Sequence, residues 1–290
     1  MKLQRTDQID FNEELHCYTM KDGGRILTPV SSVLDTLEVP FDREGKSAGM
    51  AKREILAKYD LTEMPVNDKD LFFTVEGEIN IRAQALRDEW DGIGKESMDF
   101  GNWIDQSICD SLAGIVPSTE LINVVNQINS EHSHYFQEFT QFMVFSDYYG
   151  ICGTMDRLSL RGSRTNVVDI TDYKTGLNKG MTYDNLKEKD GERKYYNKFY
   201  LEPLSHIEAC SYARYTLQLS AYAFLLQSMY PEIKIGRLKI CFVHRVDLSM
   251  GIGEPKYFYS YENIPVIYLQ NDIQALFERI KVSKEMMGVQ

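Results

Sequence analysis

The stretch that most limits what this chain can become runs from Gly153 to Gly176, GTMDRLSLRGSRTNVVDITDYKTG. Met155, Leu158 and Leu160 alternate imperfectly along its first half, and Val167, Val168 and Ile170 fill its second. Between them lies a polar break, Arg161-Gly162-Ser163-Arg164. Period-two alternation with β-branched residues on either side of a Gly/Ser turn predicts a β-hairpin. That hairpin puts Asp156 on one strand and Asp172, Tyr173 and Lys174 at the end of the next, so two carboxylates meet beside an ammonium. Such a meeting is costly unless something uses it. A hard divalent cation such as Mg²⁺ takes carboxylate and carbonyl oxygens, and Lys174 is suited to hold a water or a phosphate oxygen beside it. Taken alone, the same residues also suit a solvated hairpin end with a surface Asp–Lys pair.

The rest of the chain sets the bounds. Its 290 residues suffice for one large domain or two small ones. Apolar and charged contents of 43% and 26% are those of a globular protein. No run of about 18 apolar residues is present, so no membrane-spanning helix and no membrane partner are expected. MKLQRTDQIDFNEEL lacks the apolar segment of a signal peptide. Cys17, Cys109, Cys152, Cys210 and Cys241 are scattered without a C-x-x-C pair, which argues for a reducing compartment and against zinc or iron–sulfur ligation. The balance is acidic, with 43 Asp and Glu against 32 Lys and Arg and a net charge of −11. That charge disfavours a nucleic-acid partner unless basic residues are locally concentrated and a metal bridges to the phosphates.

In chain order, a strand from His16 to Met20, a turn at Lys21–Gly24 and a second short strand predict an N-terminal hairpin, with a helix starting at Ser31-Ser32 after Pro29. Residues 40–60 read as a helix rich in Arg43, Lys46, Lys52, Arg53 and Lys58; these suit a nucleic-acid path or a solvated face. Residues 62–76 read as irregular, 79–90 as a helix, and Trp103, Ile104, Ile108 and Leu112 as the buried face of another. An amphipathic helix is expected from Leu121 past His132 and His134 toward Phe139, and the two histidines, facing different directions, are given no metal role. Strands follow at 142–149, 151–160 and 166–175. Residues 177–203 form a polar insertion in which Lys179, Arg193 and Lys194 interleave with Tyr195 and Tyr196. Stacking rings among cations hold single strands without sequence preference, and the same composition suits a surface loop over packed tyrosines. A long helix over 205–229 then carries Tyr215, Gln218 and Tyr222 on one face. A strand at 234–245, a polar edge strand at 254–262 and a helix at 267–286 close the chain.

An acid after a Gly-x-x step, a Val-rich strand ending Asp-Tyr-Lys-Thr-Gly, and a Gln-x-x-x-Tyr helix in that order resemble the PD-(D/E)XK nuclease superfamily, in its RecB-like, phage-type exonuclease branch. His16-x-Tyr18 before Thr28-Pro29-Val30-Ser31-Ser32, and Pro203-Leu204 ahead of the Gln-x-x-x-Tyr helix, fit the same branch. The resemblance implies an α/β fold with a restriction-endonuclease-like core, a central mixed sheet flanked by helices, plus added N-terminal helices. It implies a single nuclease domain over 1–290, with a hairpin and helical part at 1–135, a catalytic core at 136–250 and a closing strand and helix at 251–290. The implied activity is metal-dependent DNA exonuclease, in phage or mobile-element recombination, replication or repair within the cytoplasm of a bacterial host. The alternative is an inactive nucleic-acid-binding protein that kept the fold. Asp156, Asp172, Lys174, Gln218 and Tyr222 would be catalytic. Mg²⁺ or Mn²⁺ would sit on Asp156, Asp172 and the carbonyl of Tyr173, with a further acid from Asp105 or Glu138. DNA would be held by Lys179, Arg193, Lys194, Tyr195, Tyr196 and Tyr215, and a homo-oligomer or a phage recombination partner is implied beside it. Two positions depart from the family: Asp105 stands where relatives carry a His after Gly101, and Gln141 where they carry a Glu.

Overall fold

The computed structural model describes residues 3, 6–12, 17–177, 180–184, 186–189, 192–195, 198–248 and 256–286, with the backbone alone at 186–189 and 192–195. They divide into two units, one made of residues 1–39 with 103–290 and the other of residues 40–102.

The first unit is an α/β layer built on a mixed sheet. Strands β1 (Ile9–Asn12), β2 (Cys17–Met20) and β3 (Ile26–Pro29) lead into α1 (Val30–Asp35). The central strands are β4 (Gln137–Ser146), β5 (Ile151–Leu160) and β6 (Val167–Gly176). They form an antiparallel meander, tightly turned at Gly150, whose φ of +64° favours glycine. Helix α5 (Ser211–Met229) then carries the chain over the sheet to β9 (Lys234–Asp247), which pairs parallel to β6; β10 (Tyr257–Val266) closes the edge antiparallel to β9. On the other side, β3 pairs parallel to the start of β5, so the sheet runs β1-β2-β3-β5-β6-β9-β10 with β4 also on β5. This is the expected α/β core, a central mixed sheet flanked by helices.

Helix α5 is apolar almost all round. Leu217, Leu219, Ala221, Ala223, Leu225 and Leu226 are all fully buried, which is what a helix sandwiched in a core requires. They pack with Leu158, Ile170 and Ile240 of the sheet, with Val33 and Leu34 of α1, and with Ile273 and Phe277 of the closing helix α6 (Gln270–Met286). Each leucine, isoleucine, valine or phenylalanine among them contributes about 1.5–3 kcal/mol on removal from water, before entropy is counted. Helix α4 (Ile122–Ser130) is tied to β10 through Glu131, which accepts from Tyr261 Oη at 2.6 Å and Asn263 Nδ2 at 2.7 Å.

At the start of β6 the buried Asp169 accepts from Arg161 Nε (2.9 Å), the Arg237 amide (2.7 Å) and Tyr135 Oη (2.5 Å). Burial alone would raise its pKa, but these donors hold it below the usual aspartate value. Gly236 is what lets β9 come this close, since a Cβ there would lie 2.4 Å from Asp169 Oδ1 and 2.9 Å from Arg161 Nη2. Gly236→Ala is therefore expected to cost about 1–3 kcal/mol by overpacking. A urea midpoint equal to wild type would show that the clamp yields without cost.

In the second unit α2 (Arg43–Lys58), capped by Asp42 Oδ1 on the Gly45 amide at 2.9 Å, lies beside the first turns of α3 (Lys69–Leu112). Ala51, Ala83 and Leu86 are its core, and Arg43–Asp91, Arg82–Glu54 and Lys58–Glu78 pair at 2.6 Å across its surface. Arg43 and Lys58 are thus engaged in the helix pair, while Lys46, Lys52 and Arg53 are exposed.

Several expected boundaries move. Residues 69–112 form one 44-residue helix rather than an irregular segment and two helices, because Gly92 and Gly94 are tolerated inside it. The helix expected to reach Phe139 stops at Ser130, and β4 already begins at Gln137. Strand β1 was not anticipated, α5 starts at Ser211 rather than 205, and the polar insertion contains a two-stranded ribbon, β7 (Leu186–Lys189) with β8 (Glu192–Tyr195). His16 lies outside the described residues.

Candidate active site

Strand geometry places the acids. The β5–β6 ladder ends with Arg157 opposite Thr171, and Asp156 and Asp172 are the next residue on each strand. Asp156 Oδ2 accepts from the Tyr173 backbone N–H at 2.7 Å, which stitches the two strands just past the ladder. Lys174, two residues beyond Asp172, turns to the same side and brings its Nζ to 2.5 Å from Asp172 Oδ2. That contact is an ion pair without hydrogen-bond geometry, and Asp172 Oδ2 is otherwise unpartnered.

Helix α5 supplies the wall above them. Gln218 Nε2 donates to Tyr222 Oη at 2.7 Å, and the Tyr215 ring lies 5.2 Å from Lys174 Nζ, within cation–π range. The Tyr222 ring rests on Gly153. A Cβ at that position would sit 2.4 Å from Tyr222 Cε1, so the glycine at the head of the hairpin is what admits the ring. From the end of α3 comes Asp105, whose Oδ2 accepts from Gln141 Nε2 at 2.8 Å while its Oδ1 is buried with no hydrogen-bond partner.

The electrostatics follow from three carboxylates facing one ammonium. Burial, then the charge of Asp172, lifts the pKa of Asp105 to about 6, with Lys174 opposing. The same causes in the same order raise Asp156 well above the ordinary aspartate value. Burial works against the Lys174 ammonium, but Asp172 and Asp156 outweigh it and raise its pKa. Tyr222 is raised by burial and by Asp172, so its phenol stays protonated and can donate. Lys174 balances one full negative charge among these acids, and the raised pKa values of Asp105 and Asp156 express the excess.

Not every candidate residue comes here. Glu138 is turned away into a buried network on the opposite face of β5. Its oxygens accept from Arg157 Nη2 (2.6 Å) and Nε (2.9 Å) and from Ser159 Oγ (2.9 Å), with His132 Nδ1 at 3.0 Å. Burial would raise its pKa, but the His132 and Arg157 contacts bring it down to about 2. A carboxylate so fully engaged is not a further metal-site acid, and of the two candidates Asp105 is the one beside Asp156 and Asp172. The fully buried Arg157, which also donates to Asn129 Oδ1 (2.8 Å) and Tyr173 Oη (3.2 Å), was missed in the sequence. Its signal was an arginine set between alternating apolar strand residues. His132 is buried in this network, in keeping with a structural role. Arg193, Lys194 and Tyr195 lie on β8, of which the backbone alone is described, and Lys179 and Tyr196 lie outside the described residues.

The donors suit a hard divalent cation. They are carboxylate oxygens gathered around one ammonium, and Asp105 Oδ1 among them is buried with no hydrogen-bond partner. Among the described residues no three His, Cys, Asp or Glu side chains stand at ligand spacing. One or two protein carboxylates, completed by water and substrate phosphate, is the usual Mg²⁺ arrangement, so Asp156 and Asp172 suffice for this ion. All five cysteines are free, and no helix among the described residues is long and apolar enough to cross a membrane.

No family model and no curated protein matches this chain. Among solved structures, a protein of Eubacterium rectale that carries a provisional exonuclease name is similar over 65% of this chain and 68% of its own. The identity is 15% and the TM-score 0.32, too slight a likeness to carry an argument.

Proposed function

We propose that this protein is a metal-dependent DNA exonuclease of the RecB-like, phage-type branch of the PD-(D/E)XK nucleases. The observation that carries the proposal is the meeting of Asp156, Asp172 and Asp105 with a single ammonium, Lys174, under the hydrogen-bonded Gln218–Tyr222 pair. The sequence motifs that resemble that branch supply the acids, the lysine and the Gln–Tyr pair.

Asp156, Asp172 and the carbonyl of Tyr173 would hold Mg²⁺ or Mn²⁺, with Asp105 beside them. When bound, such an ion offsets phosphate charge and makes a water nucleophilic near neutral pH. Lys174 stays protonated, so it acts as a fixed cation that orients the attacking water and stabilises charge developing on the phosphate oxygens. Gln218 positions the scissile phosphate or the water by hydrogen bonding, and Tyr222 fixes the Gln218 amide. Tyr215, beside Lys174, would offer its ring to a base or sugar, and Lys179, Arg193, Lys194, Tyr195 and Tyr196 would add cations and rings for DNA, as their interleaved composition suggests.

The test is cleavage of end-labelled single- and double-stranded linear DNA in Mg²⁺, Mn²⁺ or EDTA, with Asp156→Asn alongside. Metal-dependent shortening from an end, absent in EDTA and in the variant, is the expected outcome. DNA binding without cleavage in every metal would instead identify a nucleic-acid-binding protein that has lost the chemistry.

A further inference from the structure

Gln141 is an anomaly within β4. It lies between the paired residues Thr140 and Phe142, which face Arg157 and Met155 on β5, so in register it stands opposite Asp156. Its φ is +50°, in the left-handed region that a non-glycine residue rarely adopts and almost never in mid-strand. Such a backbone persists only where its surroundings hold it, and it is characteristic of functional sites. Its effect here is visible. The side chain reaches Asp105, where the amide Nε2 donates to Oδ2 at 2.8 Å. The other oxygen of Asp105 is buried, unpartnered and within range of the charges of Asp172 and Lys174.

We infer that Gln141 is a positioning residue for the metal site proposed above. It acts through Asp105 by occupying one carboxylate oxygen, which fixes the rotamer and leaves Oδ1 open toward Asp156 and Asp172. The choice of an amide matters. A carboxylate at 141 would add a fourth negative charge against Asp105, whereas the amide N–H₂ donates to Asp105 and adds none. Partners that orient a ligand are commonly worth about 10–100-fold in metal affinity. The strained backbone is therefore retained for the direction it gives the side chain. This inference rests on the metal-dependent reading of the site.

The experiment is Mn²⁺ binding followed by calorimetry or by electron paramagnetic resonance, independent of turnover, on four proteins: wild type, Gln141→Gly, Asp105→Asn and the double variant. Glycine accepts a positive φ, so Gln141→Gly removes the amide while leaving the backbone path unstrained; its thermal midpoint checks that the fold is intact. The expected result is at least about 10-fold weaker Mn²⁺ binding in each single variant, with the double variant no weaker than Asp105→Asn alone. That non-additivity is what acting through Asp105 means, and a merely structural role would not produce it. Unchanged Mn²⁺ affinity in Gln141→Gly, or losses that add fully in the double variant, would overturn the role of Gln141 and leave the exonuclease proposal standing. A wild-type protein that binds no Mn²⁺ would overturn both.

Discussion

Replacing Lys174 with methionine is expected to lower DNA cleavage by about 10²–10³-fold, the usual cost of deleting one preorganised group that stabilises transition-state charge. Divalent-ion binding should survive the change. The ammonium sits 2.5 Å from Asp172 Oδ2, and its loss leaves Asp105, Asp156 and Asp172 with no opposing charge. Removing one member of a buried ion pair can cost about 3–5 kcal/mol, and proton uptake by Asp156, already held high, would soften that penalty. The metal-free variant should thus be less stable than wild type at pH 8 and recover on adding Mg²⁺ or lowering the pH. The sign is fixed by Asp105. Its folded pKa, about 6, lies above the ordinary aspartate value of 3.8, so the stability it contributes is complete below about pH 4 and is lost as the pH rises through about 6. Thermal midpoints at pH 5 and pH 8, in EDTA and in Mg²⁺, would show this. A Lys174→Met protein that cleaves near the wild-type rate would remove Lys174 from the chemistry.

Glu138→Ala is expected to destabilise the protein by about 3–5 kcal/mol, because it strands a guanidinium in the interior. Arg157 is completely buried, and Glu138 is the carboxylate that answers it, with both oxygens engaged. Asn129 and Tyr173 offer only neutral partners. Glu138 has its pKa brought down to about 2 from an ordinary 4.5, so its contribution is present above about pH 4.5 and is lost as the pH falls toward 2. The paired change Glu138→Leu with Arg157→Met should cost less than Glu138→Ala alone, since no unpaired charge is left. Urea unfolding of the three variants is the measurement. A Glu138→Ala midpoint within error of wild type would mean that water reaches Arg157 and the network is not what holds β4 to β5.

The hairpin and its acids were legible because a period-two pattern puts Asp172 and Lys174 on one side by counting, and the Arg161–Arg164 turn folds Asp156 back to the same end. Gln218 and Tyr222 were legible for the same reason at helical spacing. The role of Gln141 was not. A left-handed residue in mid-strand leaves no mark in composition, and the apolar run that begins at Phe142 set the expected strand start one residue after it. Nor was the direction of Glu138, for an acid near a candidate site says nothing of whether a buried arginine on the next strand has already taken it. The continuous α3 was obscured by Gly92 and Gly94, whose low helix propensity is outweighed by the turns on either side. The end of α4 was obscured because Glu131-His132-Ser133-His134 holds no glycine or proline to mark a stop before β4 begins.

The alternation of β6 carries a consequence of its own. Asp172 and Lys174 face the proposed metal site, while Tyr173, between them, faces the other way to Arg157. Adjacent letters of the chain thus belong to different halves of the molecule, kept apart by parity alone. A residue added to the Gly162–Thr165 turn leaves that parity untouched. One added between Asp169 and Asp172 exchanges the two sets, presenting a phenol to the acids and a carboxylate to the arginine. The site is held by a reading frame as much as by its residues, so shifts in spacing are the changes this core can least absorb.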